Sequence, residues 1–409
     1  MTKKYITKKS CRVCGGAKFA KILDLGKMPA ANSFLTKTEL KKPEKTFPLV
    51  LYFCETCGLV QLLDVVHPRF LFKHYDYMTS ASKPLVEYFI AMGKMLMEKF
   101  ISSKDDLIIE IGGNDGVMLE SLKDNARILN IEPAKNIATL ARKRDVETIN
   151  EFFSEALAKK IKKRYGMAKV ISASNVFAHI DDLADVMRGI KELIGDDGVF
   201  VCEAHWVGNL IGLGGFDQIY HEHLCYFSLH SFQNLVRRFG FEVFDVELTH
   251  MHGASLRLFV GNRKQKPSVE SILIKEKELG LHKYATYQAF AKRVEANRKV
   301  LRTLLLDLHK QNKKIVGYGA PAKGNTLLNS CGIDNTVIDF IIDTTPFKQG
   351  LFTPGGHIPV YPPDTFYPFK PDYALLLAWN YADVIIKKEE EFRANGGKFI
   401  IPVPKVRIV

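Results

Sequence analysis

Apolar positions along this chain fall into two recurring patterns. Short buried-type runs at 107–111, 128–131, 169–173 and 199–203 alternate with stretches of helical spacing. That rhythm predicts a parallel, doubly wound α/β sheet. An apolar helix over 84–100 leads into it. Residues 264–283 are charged and separate two patterned regions. A long helix follows, with Phe290, Val294, Leu301, Leu304 and Leu308 near helical spacing. Apolar runs at 315–318, 338–342, 374–378 and 399–401 then resume the βα alternation, so a second, smaller α/β unit is expected. The segment before about residue 73 lacks regular periodicity. The resulting division is 1–74, 75–264 and 265–409.

Composition narrows the class. The 409 residues are 46% apolar and 25% charged, enough for full cores in two or three domains. No apolar run approaches the ~18 residues that a membrane span needs. The amino terminus, Met-Thr-Lys-Lys-Tyr, has no apolar core behind it, so a cytoplasmic protein is expected. The net charge of +13 suits anionic partners, either nucleic acid or small nucleotides. Lys and Arg are interleaved with acids, and the densest run, Lys159 to Arg164, reads as an exposed helical face. No stacking-aromatic or groove-helix pattern accompanies the charge, which argues against nucleic acid.

Four of the seven cysteines form two pairs, Cys11-x-x-Cys14-Gly and Cys54-x-x-Cys57-Gly. Four thiolates suit tetrahedral Zn²⁺, and a glycine after each pair lets the backbone turn around the metal. Four cysteines also close the coordination sphere, so the zinc is expected to be structural. The 39 intervening residues exceed the usual spacing and require an inserted subdomain.

The run Glu110-Ile-Gly112-Gly-Asn114-Asp115-Gly116 ends a buried strand and opens a helix. It is neither a P-loop nor a full dinucleotide fingerprint. Glu132 ends the next strand, where a carboxylate can accept hydrogen bonds from ribose hydroxyls. Asn175 follows the third strand, and Phe152 and Phe153 could complete a pocket. Turn, acid and strand order together point to S-adenosylmethionine; an ordinary βα turn with a chance acid is the competing reading.

Tyr220-His-Glu222-His223-Leu-Cys-Tyr226 gathers two imidazoles, a carboxylate and two phenols. In an extended strand Tyr220 and Glu222 would face away from His223, so a turn is required for them to meet. A histidine there can take and return a carbon-bound proton, a neighbouring carboxylate would fix its tautomer, and a tyrosine can hydrogen-bond an enolate oxygen. Structural hydrogen bonding and a His-x-His metal site compete with this reading. His179, in Asn175-Val-Phe-Ala-His179, ends near the same edge and reads equally as a helix-start histidine.

In this order the elements resemble the S-adenosylmethionine-dependent sugar C-methyltransferases of deoxysugar biosynthesis. The resemblance covers nearly the whole chain. It includes the two-knuckle segment, Glu110–Gly116, Asn175–His179, Tyr220–His223 and His252-Gly-Ala-Ser-Leu-Arg257. It continues through Gly317-Tyr-Gly-Ala-Pro-Ala-Lys323-Gly-Asn325, Lys348-Gln-Gly-x-x-x-Pro354-Gly and Ala378-Trp-Asn380-Tyr. Ala254 stands where the family usually has a second glycine. The resemblance implies a zinc-binding domain, a class I methyltransferase domain and a Rossmann-like domain. It also implies C3 methylation of a nucleotide-linked 4-keto-6-deoxysugar. A monomer that engages neither nucleic acid nor membrane is expected. His223 would be the general base beside Tyr220 and Glu222, with His179, Tyr75 and Tyr77 lining the sugar pocket. Lys323 and Asn325, at a second glycine turn, are expected at the nucleotide diphosphate. Methylation of oxygen or nitrogen on a sugar or small molecule is the alternative.

Overall fold

The computed structural model describes residues 4–67, 70–71, 78–249 and 255–409. Tyr75, Tyr77 and the start of the His252–Arg257 motif lie outside them. A seven-stranded sheet occupies the middle of the chain. Its order is Glu242–Thr249, Ser255–Gly261, Ile194–His205, Ala168–Ser174, Leu107–Ile111, Arg127–Ile131 and Thr148–Ile149. Leu107–Ile111 is buried at every position because helices cover both faces, which is why it reads as an apolar run interrupted only by Glu110. The five strands from Ile194–His205 to Thr148–Ile149 are parallel. Ser255–Gly261 is antiparallel to both of its neighbours, a reversal that the βα rhythm does not reveal. No helix is long and apolar enough to cross a membrane among the described residues.

The basic run behaves as expected. Ser154 caps the helix Glu155–Tyr165, which buries Leu157, Ala158 and Ile161 and turns its lysines outward. Lys159 and Lys162 pair with Glu155 and Glu192.

The carboxyl-terminal sheet has six strands in the order Val360–Tyr361, Phe340–Ile342, Ile315–Tyr318, Tyr373–Leu376, Lys398–Ile401 and Arg407–Ile408. Strand order reverses at Ile315–Tyr318, which makes its carboxyl end a topological switch point. The helix Ala322–Cys331 starts there, after Gly319 at φ 81°.

Two regions depart from the sequence reading. The charged stretch 264–283 contains a helix, Pro267–Glu278, whose buried stripe is only Val269, Ile272 and Glu276. So narrow a stripe is masked by charge on the other faces. Glu276 accepts hydrogen bonds from Trp206 Nε1 at 2.8 Å, Leu229 N at 2.6 Å and His230 N at 3.1 Å, locking the helix to the central domain. The aperiodic amino-terminal segment forms a sheet from Phe19–Met28, Phe47–Cys54 and Val60–Leu62, and its fourth strand, Cys225–Tyr226, comes from the central domain. That borrowed strand begins two residues after His223.

Candidate active site

The two cysteine knuckles are near-copies of one another. Gly15 N donates to Cys11 O and Gly58 N to Cys54 O, both at 2.9 Å, and Gly15 and Gly58 each have φ 74°. Glycine accepts that left-handed conformation without strain. The four sulfurs lie within 4.8 Å of one another, with Cys11–Cys57 and Cys14–Cys54 at 3.6 Å. Tetrahedral Zn–S bonds of about 2.3 Å require sulfurs about 3.8 Å apart, so the set fits zinc. Gln61 Nε2 and Gly16 N donate to Cys11 Sγ and Cys14 Sγ at 3.1 and 3.3 Å, the hydrogen bonds that stabilise thiolate ligands. With no open position, this Zn²⁺ is structural.

The glycine loop is built for a ligand. Gly112, Asn114 and Gly116 all have positive φ. Thr79 N donates to Asn114 Oδ1 at 2.9 Å, and Ser80 N to Asp115 Oδ2 at 3.3 Å, which holds the loop from outside. Glu132 accepts from Asn114 N at 3.1 Å and Ala134 N at 2.8 Å, leaving each oxygen a further lone pair for a ribose hydroxyl. Glu110 Oε2 is buried without a hydrogen-bond partner among the described residues. These groups fit S-adenosylmethionine, and Glu110, Gly112, Asn114, Glu132 and Asn175 face the same cleft. Asp115 and Gly116 lie behind it: Asp115 is buried beside Arg144 and acts on loop shape. A methyl added at Gly113 would sit 2.4 Å from Asn130 Oδ1 and 2.8 Å from Glu110 Oε2. Gly113→Ala is therefore expected to weaken donor binding at least about tenfold by calorimetric titration. Affinity within twofold of the parent would show that the loop has slack.

The Tyr220–His223 run turns as its chemistry requires, with His223 N bonded to Tyr220 O at 2.9 Å. His223 Nδ1 meets the Gln218 carbonyl at 3.0 Å, and Nε2 meets the Tyr220 hydroxyl at 2.9 Å. A carbonyl only accepts, so the ring proton is on Nδ1 and the basic lone pair is on Nε2. A backbone carbonyl, not the expected carboxylate, thus fixes the tautomer. Glu222 instead accepts from Asn32 Nδ2 at 2.8 Å. His221 leaves the cluster and bonds the Phe47 carbonyl at 3.2 Å, a structural role.

Three imidazoles converge. The rings of His179 and His205 lie 5.0 and 5.3 Å from that of His223. Burial pushes the His179 pKa down to about 4, partly offset by the nearby Glu222 carbonyl. The Nδ1 of His179 has no hydrogen-bond partner among the described residues. His205 escaped the sequence reading, although it ends a parallel strand on the edge where such sheets bind ligands.

In the carboxyl-terminal domain, Lys323 Nζ bonds Asn380 Oδ1 and lies 4.3 Å from the Trp379 ring centroid. Burial lowers its pKa to about 8, partly offset by Asp217. Lys348 Nζ bonds the Ala320 carbonyl at 2.9 Å. Asn325 does not face the cleft; it is buried, and its Nδ2 donates to Ala31 O at 2.7 Å, tying this helix to the zinc domain. A glycine turn shows that a helix starts, but not which face its first turn presents.

Glu110 to Asn114 of the donor loop, Tyr220, Glu222 and the three histidines, and Lys323 with Lys348 all line one cleft of about 2060 Å³. A single small ligand typically fills about 300–1,000 Å³, so there is room for two. Burial raises the Glu222 carboxyl to about 7. Burial, with Glu132 and Asp115 nearby, raises Glu110 to about 8. Each contributes stability that is complete below its ordinary 4.5 and is lost as pH rises through 7 to 8, because the unfolded chain ionises first. His179 and His221, both lowered to about 4, act only below 6.5, where the unfolded chain gains protons first. The melting temperature of the donor-free protein should therefore fall between pH 6.5 and 8. Glu110→Gln should flatten that fall by about 2 kcal/mol in calorimetry. An equally steep fall in the variant would mean that Glu110 does not titrate in this window.

Known proteins resemble this chain along nearly its whole length. Family models for a zinc binding domain, a methyltransferase domain and a C-methyltransferase C-terminal domain match residues 11–72, 90–246 and 250–404. The C-methyltransferase NovU of Streptomyces niveus is 36% identical over 404 residues, 98% of this chain and 96% of that one. Solved structures overlap less. A SAM-dependent methyltransferase from Anabaena variabilis is 13% identical with a TM-score of 0.31, covering 45% of this chain and 86% of its own. The plantazolicin methyltransferase BpumL is 12% identical with a TM-score of 0.36, covering 45% and 88%. Zinc knuckles, donor loop, switch-point domain and 36% identity over nearly the full length converge: the chain belongs to the S-adenosylmethionine-dependent C-methyltransferase family.

Proposed function

We propose that this protein methylates C3 of a nucleotide-linked 4-keto-6-deoxysugar, with His223 as the general base. The observation that carries the reading is the His223 ring, whose Nδ1–H is bound to Gln218 O so that Nε2 is the basic nitrogen in the cleft. Carbon becomes a nucleophile only after losing a proton, and a neighbouring ketone makes that proton acidic by delocalising the charge onto oxygen. His223 Nε2 takes the C3 proton. Tyr220, whose hydroxyl already meets Nε2, turns its O–H to the C4 oxygen as negative charge develops there. His179 lines the cleft and packs against the His223 ring. Lys323 and Lys348 offer positive charge to the diphosphate. Glu222, buried and held by Asn32, keeps the turn in place and sets the local charge. When bound, S-adenosylmethionine supplies an electrophilic methyl on a cationic sulfur.

Solvent-deuterium exchange tests this reading. With the 4-ketosugar nucleotide and S-adenosylhomocysteine, the protein should exchange the C3 hydrogen, and His223→Gln should abolish the exchange. Methyl transfer to oxygen or nitrogen without any C3 exchange would overturn the enolate reading and support the heteroatom alternative.

A further inference from the structure

We infer that the first zinc knuckle positions the reactive histidines and that Arg12, between Cys11 and Cys14, transmits that position. This rests on the proposed base role of His223. Arg12 is an unusual knuckle residue, since its side chain is completely buried. A buried guanidinium must be paired, and its partners show what it holds. Nε donates to Asp181 Oδ1 at 3.0 Å. Nη1 donates to Gln61 Oε1 at 3.1 Å and to the Leu62 carbonyl at 2.5 Å.

Each partner leads to one half of the histidine cluster. Asp181 is two residues from His179 and lines the cleft. Gln61 donates its other end to the zinc ligand Cys11 and pairs in register with Cys225, two residues beyond His223. Leu62 N donates to Leu224 O at 3.0 Å, and Leu224 N donates to Ala178 O at 2.6 Å. The knuckle, the His179 loop and the His223 turn are thus stitched together through one guanidinium and two backbone bonds. The planar fork suits this junction because it directs donors to a carboxylate, an amide and a carbonyl at fixed angles.

Zinc holding only its own loop would leave Arg12 free to be any residue. Its contacts assign it instead as a positioning residue outside the reacting groups. Reacting atoms tolerate displacements of well under an ångström, and an error of about 1 Å can cost about 10²-fold in rate. The knuckle thereby sets the separation of the His179 and His223 rings.

The test uses the full zinc-loaded chain carrying Arg12→Met, Arg12→Lys or Asp181→Ala. Asp181 is part-exposed, so the last variant still probes the link if the buried arginine is essential for folding. Zinc content, S-adenosylmethionine affinity, methyl-transfer rate and ¹⁵N imidazole spectra are measured, with His179 and His223 peaks assigned from their glutamine variants. Arg12→Met should keep one zinc per chain and donor affinity within twofold, shift both imidazole resonances and lower turnover about 10- to 100-fold. Arg12→Lys should recover part of the rate, since one ammonium can reach Asp181 but not all three acceptors. Unshifted imidazole resonances in Arg12→Met and Asp181→Ala overturn the inference. So does loss of zinc in proportion to loss of rate, because Arg12 would then merely fold the knuckle. Shifted resonances with undiminished turnover support the mechanical link and refute the base role instead.

Discussion

Replacing His223 by glutamine should leave S-adenosylmethionine affinity within about twofold of the parent and lower turnover by roughly 10²- to 10⁴-fold, the range supplied by one positioned general base. The separation of effects follows from the architecture. The donor loop is held by Thr79, Ser80 and Asn130. His223 is held by Gln218 O and Tyr220. Glutamine preserves a donor for the carbonyl but has no basic nitrogen. Tyr220→Phe should cost less, because the base remains and only one stabilising hydrogen bond is lost. Isothermal titration and single-turnover kinetics give both numbers. A His223→Gln enzyme with near-parental turnover would remove this residue from proton abstraction and turn attention to Glu222, whose carboxyl is raised to about 7 and also faces the cleft.

Removal of zinc should have the second large effect. Structural Cys₄ sites contribute on the order of 10 kcal/mol of apparent binding free energy, more than a short, poorly patterned segment can replace by packing. Chelation, or Cys57→Ser, is expected to unfold the amino-terminal sheet and lower the melting temperature by at least ten degrees or so. Cys225–Tyr226 belongs to that sheet, so the loss reaches the Tyr220–His223 turn. Methyl transfer should disappear, while S-adenosylmethionine binding, centred on Leu107–Ile111 and its loop, should fall much less. Calorimetry and metal analysis of the same sample check this. Retention of the melting temperature by a zinc-free protein would contradict a structural site.

The donor loop and the zinc ligands were legible in the sequence because each is local. Cys-x-x-Cys-Gly describes one backbone turn, and both turns form as read. Glu110–Gly116 lies on the strand and turn that its own residues dictate. The expected strand at 107–111 matches residue for residue, since burial on both faces imposes a run that is apolar except at Glu110. The helix at 267–278 was hidden for the opposite reason. Its one buried carboxylate is satisfied by an indole and two backbone amides from elsewhere, and no helical period encodes that.

The histidine cluster divides along the same line. Sequence alone determined that Tyr220, Glu222 and His223 share a short segment able to handle protons. It also determined that a methyl-donor loop and a metal-bound domain accompany them. Only the tertiary structure decided which nitrogen of His223 is basic, because the proton's location depends on the Gln218 carbonyl. It also decided that Glu222 turns to Asn32, that His205 joins the cluster and that Asn325 faces away from the cleft. Motifs record residue types at fixed spacing along the chain. Tautomer, desolvation and hydrogen-bond partner are set by atoms brought close from 190 or even 294 residues away, as for Asn32 with Glu222 and Ala31 with Asn325. Such long-range partners leave no periodicity in the chain, so their effect on charge and proton position emerges only on folding.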